Sequence, residues 1–418
     1  MQQCYNIADT LIVGQCIGAG ALAAVGSAYT LMVFLISVLL GLAMGSGTVF
    51  SLHYGAGNHV ALRRSIFSSF VLIGIVTLIL NVAVFIWLDP ILRLLQVPQD
   101  IYGMMRSYSW IIFCGIVFTF IYNFYASLLR AVGDSVTPLW FLAVSVVLNI
   151  ALDLFFILQL DWGIQGAAAA TVLAQGVAAL GIIIYTYRRR PELRWHHEDM
   201  CFDRTCLKEI ASFSTLTCVQ QSVMNLGILM IQGLVNSFGT AVMAAFAAAV
   251  KIDSFAYRPV QEFGKAFSTF IAQNFGAGRY DRIHRGVRSA FVTAVVFSLL
   301  VSVLVFIFAK PLMLIFVRPD ETEIIAVGVA YLRIEGAFYC GIGILFLLYG
   351  YYRAIRMPGM SVVLTVLSLG TRAVLSYWFA SIPEIGVTGI WWSIPIGWLI
   401  ADVVGIWCYR YVKGVRGS

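Results

Sequence analysis

Four polar side chains in the N-terminal half stand in stretches that are otherwise apolar. Asp153 follows Asn149 by four residues, which places both on one face of a helix. Asp9 and Thr171 lie in two other apolar stretches. Asp9, Asp153 and Thr171 fall about 10 to 13 Å from the outer ends of their predicted helices. Ionisable groups at such a depth in a membrane are costly and usually functional.

Oxygen-bearing side chains at a common depth suit a hard cation such as Na⁺, and two nearby carboxylates also suit a shared proton. We therefore predict a cation-coupling site at Asp9, Asn149, Asp153 and Thr171, with Na⁺ as a possible occupant between Asp9 and Asp153. Gln2 faces the same site if its helix is regular. The alternative is structural, with Asp9 capping a helix kink and Asp153 bound to a neighbouring hydroxyl.

A second set of carboxylates falls in the C-terminal half. Asp253 and Glu262 share one apolar stretch with Tyr257, and Glu335 shares another with Tyr339. Drug-sized cations bind against apolar and aromatic walls that carry few charges. We predict that these five residues line the substrate cavity or meet the coupling ion. Basic residues flank both Asp253 and Glu262. The alternative is therefore that the acidic and basic side chains of this stretch neutralise each other and face water.

These side chains must be positioned by membrane-spanning helices. The composition is 61% hydrophobic and only 11% charged, with a mean hydropathy of +0.90, whereas soluble proteins carry about 25% charged residues. No charge occurs between Arg64 and Asp89, or between Glu209 and Lys251. The sequence therefore predicts an all-α integral membrane protein. The net charge of +7 belongs to its loops and does not indicate a nucleic-acid partner.

The apolar stretches predict twelve transmembrane helices. A spanning helix needs about 20 mainly apolar residues, and each stretch supplies one. The predicted spans are 1–17, 28–52, 65–88, 105–130, 138–159, 163–187, 208–236, 244–274, 287–309, 323–353, 359–380 and 386–411.

The chain also repeats itself. Gly18 matches Gly239 at an offset of 221, and the run Tyr54–Gly57 matches Phe275–Gly278 at the same offset. Further along, the matches of Arg130 with Arg353 and of Gly163 with Gly386 have an offset of 223. One duplication with a small insertion explains both offsets. Because each copy holds six helices, an even number, the copies are parallel. We predict a six-helix lobe at 1–187, a cytoplasmic linker at 188–207 and a second lobe at 208–418.

Orientation follows from the basic residues. Eighteen Lys and Arg lie on the side of the linker and the C-terminus, against four on the other side. Basic residues sort to the cytoplasmic loops, so we expect a multi-pass protein of the cell (inner or plasma) membrane with a cytoplasmic linker and C-terminus. By the repeat, Met1 corresponds to Ser222, well inside the span that begins near Lys208. We therefore expect the first span to lack about 14 residues relative to its internal copy.

The motifs resemble those of the multidrug and toxic compound extrusion family. They are Asn6-Ile7-Ala8-Asp9-Thr10, Asn149-Ile150-Ala151-Leu152-Asp153, and Lys251-Ile252-Asp253 followed by Gln273-Asn274-Phe275-Gly276. The resemblance runs along essentially the whole chain. It implies two lobes of six helices, alternating access, and export of organic cations or drugs against Na⁺ or H⁺. It also implies that the aspartates Asp9 and Asp153 carry the cation site.

Other functions have less support. A lipid-linked oligosaccharide flippase of the same superfamily remains the alternative, although such proteins have a more cationic cavity and extra helices. A membrane enzyme would need a nucleophile–base pair or metal cluster in its spans, yet all five histidines lie near helix ends or in loops. A channel is disfavoured because two lobes leave no symmetric pore. We expect a monomer in membrane lipid that binds small, cationic amphipathic molecules and needs no cofactor.

Overall fold

The computed structural model describes residues 12–13, 16–94, 99–200 and 204–416, and within these the regular elements are all helices, joined by turns and short irregular segments. Gln2 and Asp9 of the predicted cation site lie outside the described residues. The α-helices are α1 (Ala19–Gly55), α2 (His59–Leu94), α3 (Gln99–Cys114), α4 (Ile116–Ala131), α5 (Val136–Leu154), α6 (Gly163–Arg189), α7 (Arg204–Asn236), α8 (Thr240–Gly276), α9 (Tyr280–Met313), α10 (Thr322–Gly336), α11 (Tyr339–Ala354), α12 (Pro358–Ala380) and α13 (Gly386–Arg416).

Nine of the helices in the described part are long and apolar enough to cross a membrane, and two bent pairs raise the number to eleven. The predicted span 1–17 falls mostly outside the described residues. The sequence predicted single spans at 105–130 and 323–353, but the structure bends both. Helices α3 and α4 meet at 44°, and α10 and α11 meet at 51°. At the first bend, Val172 of α6 packs so closely that a Cβ on Gly115 would lie 2.6 Å from it.

The chain forms two compact units, Met1–Cys218 and Val219–Ser418. In the first, α1 packs against α2, α3 and α4, and α6 packs against α3, α4 and α5. In the second, α8 packs against α9, α10 and α11, while α12 and α13 form a pair. Helix α8 thus takes the place in the second unit that α1 takes in the first.

The backbone conformation is similar at equivalent positions of the two copies. Gly163 opens α6 with a φ of 54°, and Gly386 opens α13 with a φ of 51°. Glycine adopts this left-handed conformation without steric cost. Where the first copy has Gly133 at φ 92°, the second has Arg356 at φ 66°. The turn geometry is therefore kept in both copies even where the glycine is not.

The segment between α6 and α7 is docked rather than fully solvated. Its Trp195 ring lies 6.1 Å from the ring of Phe67 and 5.6 Å from that of Phe70, both on α2. Arg63 Nε, also on α2, donates to Asp199 Oδ2 at 2.7 Å. Leu193 is buried within the segment. The stretch from 191 to 199 therefore packs onto the first unit.

Candidate functional site

A hairpin between α5 and α6 positions the predicted cation site. The last turn of α5 continues into a π-helix at Phe155–Gln159, and such segments occur frequently at functional sites. The chain then reverses through Asp161 and Gly163, both with positive φ. A Cβ on Gly166 would lie 3.0 Å from Cβ of Phe156. The close approach that this glycine allows brings α6 against α5 along the turns that carry the polar residues.

The hairpin brings three of the predicted site residues together. Asn149 and Asp153 on α5 and Thr171 on α6 are all buried. Asn149 Nδ2 donates to Thr171 Oγ1 at 3.5 Å, and the Thr171 hydroxyl donates to the Ala167 carbonyl at 3.0 Å. Within the described residues, Asn149 Oδ1 has no hydrogen-bond partner. The arrangement supplies a carboxylate, an amide oxygen and a hydroxyl oxygen, which are ligands for a hard cation.

A small cavity of the first unit lies beside this triad. Thr171 lines it, so that one side chain belongs both to the polar triad and to the cavity wall. Thr119 Oγ1 donates to Gln175 Oε1 at 2.5 Å in the same wall. Gln175 was not among the predicted site residues, although it lies four residues after Thr171 and therefore on the same helix face. The other lining residues are mainly apolar: Met32, Leu35, Ile36, Ile112, Phe113, Ile116 and Val172.

The second unit buries its own polar cluster. Asp253 on α8 is 4% exposed and Glu335 on α10 is 3% exposed, and the two carboxyl groups lie close enough to interact. Tyr339 faces Asp253, and Tyr331 faces Glu335. One carboxylate oxygen of each acid and the Tyr339 hydroxyl lack a hydrogen-bond partner among the residues described. Arg372 on α12 also lies within electrostatic range of both acids. Because a buried polar group without a partner is costly, the remaining oxygens are acceptors that a cation could use beside this arginine.

Aromatic rings pack against the Glu335 side of this cluster. The ring of Trp391 on α13 stacks on Phe246 of α8 at 5.4 Å and meets Tyr331 edge-on at 4.9 Å. Trp391 is fully buried, and its Nε1 has no hydrogen-bond partner in the part of the chain that is described. Aromatic faces attract organic cations by cation–π interaction. The sequence does not predict this aromatic cluster, because its three rings come from three helices that are far apart in the chain.

The remaining predicted residues lie differently. Glu262 is exposed and pairs with Lys265 at 2.7 Å. Arg258, four residues before Glu262, also has a spacing that suits an intrahelical ion pair, but the structure pairs Glu262 with the lysine three residues after it. Tyr257 is half-buried, one helical turn from Asp253, with its ring 6.2 Å from that of Phe346. Glu262 therefore belongs to a surface ion pair, while Tyr257 extends the buried cluster.

The repeat relates the second unit's acidic cluster to the first unit's apolar cavity. At the offset of 221, Asp253 corresponds to Met32 and Tyr257 to Ile36. Both of these N-terminal counterparts line the cavity. Equivalent positions are thus apolar in the first unit and acidic or phenolic in the second.

The two units also differ in the polarity of the residues at the positions of Asn149 and Asp153. At the offset of 223, Asn149 corresponds to Arg372 and Asp153 to Ser376. Ser376 Oγ and Ser393 Oγ are 2.6 Å apart, and both side chains are fully buried. The second unit therefore has a pair of neutral hydroxyl groups in contact at the position where the first unit has the Asp153 carboxylate. The two units carry their acidic groups at different positions of the same fold.

The sequence of this chain is similar to those of known proteins. The MatE family model matches residues 1–155 and 217–378. The chain is 30% identical over 420 residues to the probable multidrug resistance protein YpnP of Bacillus subtilis, with 98% of this chain and 91% of that protein covered.

Solved structures match over almost the whole chain. A mutant of the Vibrio cholerae MATE transporter VcmN is similar with a TM-score of 0.91 and 24% identity, covering 99% of this chain and 93% of that one. A MATE structure in the bent conformation matches with a TM-score of 0.94 and 22% identity, covering 100% and 92%. The fold is therefore the MATE fold, in agreement with the predicted all-α class of twelve transmembrane helices.

Proposed function

Because the chain belongs to the MatE family and is a multidrug efflux transporter, we propose that it exports organic cations in exchange for Na⁺ or H⁺. The observation that carries this proposal is the buried triad of Asn149, Asp153 and Thr171. An ionised carboxylate in an apolar interior is costly unless a cation accompanies it. The triad therefore binds the coupling ion, with Asp9 as the second carboxylate and Gln2 as a further neutral ligand.

The coupling step uses the side chain that the triad and the cavity share. Thr171 contacts Asn149 and also lines the neighbouring cavity. When the ion binds, the hydroxyl of Thr171 turns toward it and the cavity wall changes. Antiport requires only that ion and drug favour opposite conformations, without touching each other. Because Thr171 belongs to both the triad and the cavity wall, a change at the ion site alters the drug cavity directly.

The cluster of the second unit recognises the positive charge of the drug. Asp253 and Glu335 supply negative charge, and Phe246, Tyr331 and Trp391 supply aromatic faces. Carboxylates backed by aromatic rings are a combination that suits amphipathic organic cations. Both carboxylates are shielded from solvent in this conformation, so substrate reaches them only after the unit opens.

A second role for the same cluster is coupling-ion binding. Two adjacent buried carboxylates with oxygens that lack hydrogen-bond partners in the described region suit a small cation as well. The two roles differ in one measurable property. A substrate site alters the concentration of drug needed for half-maximal export, whereas an ion site alters the dependence of export on the gradient.

Transport in proteoliposomes tests the function. Purified protein is reconstituted, and a Na⁺ gradient or a pH gradient is imposed separately while uptake of a fluorescent organic cation is followed. We expect accumulation with one gradient and none when both are collapsed. Accumulation that ignores both gradients would contradict antiport. Movement of a lipid-linked oligosaccharide, without movement of the organic cation, would favour the flippase alternative.

A further inference from the structure

Four arginines stand at the beginning of α9, at positions 279, 282, 285 and 288. All four are exposed. None of them takes part in an ion pair within 4.0 Å among the described residues. Asp281 is the one acidic residue of the same stretch. This segment therefore presents a concentrated positive charge that the described protein does not neutralise.

The side of the helix that bears these arginines is the side that faces away from the protein. A spacing of three residues turns each arginine by about 60° relative to the last and spreads the set over roughly 13 Å of axis. Arg282, Arg285 and Arg288 lie on the face opposite the buried Ile283 and Val287. They are not directed at another helix of their own unit.

The same face continues as an apolar stripe along the helix. Val292, Val296 and Leu300 are 58%, 52% and 62% exposed, and further exposed apolar residues follow toward the other end. In a multi-pass membrane protein, such a stripe contacts lipid tails. Val292 lies one helical turn beyond Arg288, so the guanidinium groups stand where the tails end and the phosphate headgroups begin.

The N-terminal copy lacks this feature, which shows that the fold does not require it. At the offset of 221, Arg282 and Arg288 correspond to Ala61 and Phe67, and only Arg285 has an arginine, Arg64, as its counterpart. Arg63 beside it is engaged with Asp199. Helix α9 thus begins with more positive charge than its counterpart α2 in the first unit.

We propose that this face of α9 is a binding surface for the headgroups of anionic phospholipids. The guanidinium groups of Arg282, Arg285 and Arg288 bind the lipid phosphates in forked geometry, while the stripe below holds the acyl chains. Arg279 lies at the edge of the surface and adds to its potential. The adjoining stripe selects a lipid rather than a free anion, because a soluble phosphate gains nothing from apolar contact.

The test measures lipid enrichment beside α9 in reconstituted full-length protein. Ser289, which is exposed, is replaced by cysteine in a background without native cysteines and labelled with a fluorophore. Nanodiscs contain the same mole fraction of phosphatidylglycerol or phosphatidylcholine with a quencher on the headgroup. We expect quenching to report at least about fivefold enrichment of phosphatidylglycerol.

Matched variants decide the outcome. The triple variant R282Q/R285Q/R288Q should lose the enrichment, and Asp281→Asn should increase it. The variant R188Q/R189Q/K208Q removes three exposed charges elsewhere and should leave it unchanged. Equal enrichment in the α9 triple variant and the wild type would overturn the proposal. So would equal loss in both triple variants, or displacement of the lipid by millimolar inorganic phosphate.

Discussion

Asn149 on α5 and Thr171 on α6 meet through an Nδ2···Oγ1 contact of 3.5 Å, and the other amide atom of Asn149 has no hydrogen-bond partner in the described residues. Neither residue is charged, yet both are buried beside Asp153. A buried amide oxygen that is left without a donor is expected to accept a bond or bind a cation in some step of the cycle. This relationship makes the neutral residues of the triad as testable as the carboxylate.

Thr171→Val should weaken ion binding while preserving the side-chain shape. Loss of one hydroxyl ligand to a charged group costs about 1.5–3 kcal/mol, so the concentration of the coupling ion needed for half-maximal export should rise by about tenfold or more. Thr171→Ser should retain most of the function. Thr186→Val is the matched control, because Thr186 is also buried on α6 and its hydroxyl also donates to the carbonyl four residues earlier. Equal effects of the two valine variants would show a structural role alone.

Asp153→Asn should abolish gradient-driven export and leave the protein inserted and folded. The substitution keeps the size of the side chain but removes the charge that the coupling ion balances. Efflux in vesicles, normalised to expression, measures the effect. Ser376→Ala alters the corresponding position of the second copy, which is also fully buried, and should retain export. Wild-type efflux by Asp153→Asn would move the coupling site elsewhere, with Glu335 as the next candidate.

Asp9→Asn should have the same effect as Asp153→Asn, since we propose that both carboxylates hold one ion. Groups that act as a unit are not additive, so the double variant should be no worse than either single one. The three variants are compared by initial efflux rate under the same gradient. Independent losses that multiply in the double variant would place the two aspartates in separate sites.

Glu335→Gln and Asp253→Asn should each raise the half-saturating concentration of a cationic drug by about tenfold, with a smaller effect on a neutral analogue. Glu262→Gln is the control on the same helix as Asp253, because Glu262 is paired with Lys265 at the surface. Drug-dependent transport under a fixed gradient gives the concentrations. If the Asp253 and Glu335 variants alter the response to the gradient and leave drug affinity intact, the cluster binds the coupling ion instead.

The docked linker should respond to pH with a defined sign. Burial alone would raise the pKa of Asp199, but the backbone N–H of His196 and the Arg63 guanidinium hold it below the usual 3.8. A lowered pKa means that the ionised contact stabilises docking at pH values above 3.8 and that this contribution is lost as the pH falls below it. A cysteine at buried Leu193 should thus stay protected from labelling between pH 7 and 5.

The same cysteine reports on the partner of Asp199. Arg63→Gln should increase labelling at position 193 at neutral pH, because the Asp199 carboxylate is then buried without its cation. Arg64→Gln is the matched control at the next position of α2. Unchanged protection in Arg63→Gln would mean that the packing of Trp195 against Phe67 and Phe70 suffices to dock the linker.

Gly133→Ala should lower the stability of the protein by about 1–2 kcal/mol. Gly133 has a φ of 92°, and a Cβ there would meet nothing within 4 Å, so the cost is one of backbone conformation. Gly103 lies within α3 with equally open space, and Gly103→Ala should be neutral or stabilising by up to about 1 kcal/mol. Thermal unfolding in detergent measures both. Similar effects of the two substitutions would exclude the backbone explanation.

Much of the fold could be read from the sequence because membrane helices follow from hydropathy. The duplication was visible as small residues at fixed offsets, and these glycines recur in the structure with matching φ values. The spacing of Asn149 and Asp153 predicted a shared helix face, and both are buried. Local patterns of this kind depend on neighbours along the chain, which a sequence displays directly.

The rest depends on contacts between distant segments. The stacking of Trp391 on Phe246 joins residues from different helices, and no spacing rule connects them. The bend between α3 and α4 lies where Val172 of the distant helix α6 packs against Gly115. Hydropathy is insensitive to a bend, since both halves remain apolar. Glu262 had basic residues within reach on both sides, and only side-chain geometry decided between them.

The changed polarity between the two copies has a consequence for any protein built from two identical halves. A homodimer of the N-terminal half would own two carboxylates of the Asp153 type and two apolar cavities, and a homodimer of the C-terminal half would own two acidic clusters and two serine pairs. Under the proposed function, neither assembly would hold both the ion site and the drug site. A chimera built from two identical halves is thus expected to fold and to fail as an exchanger.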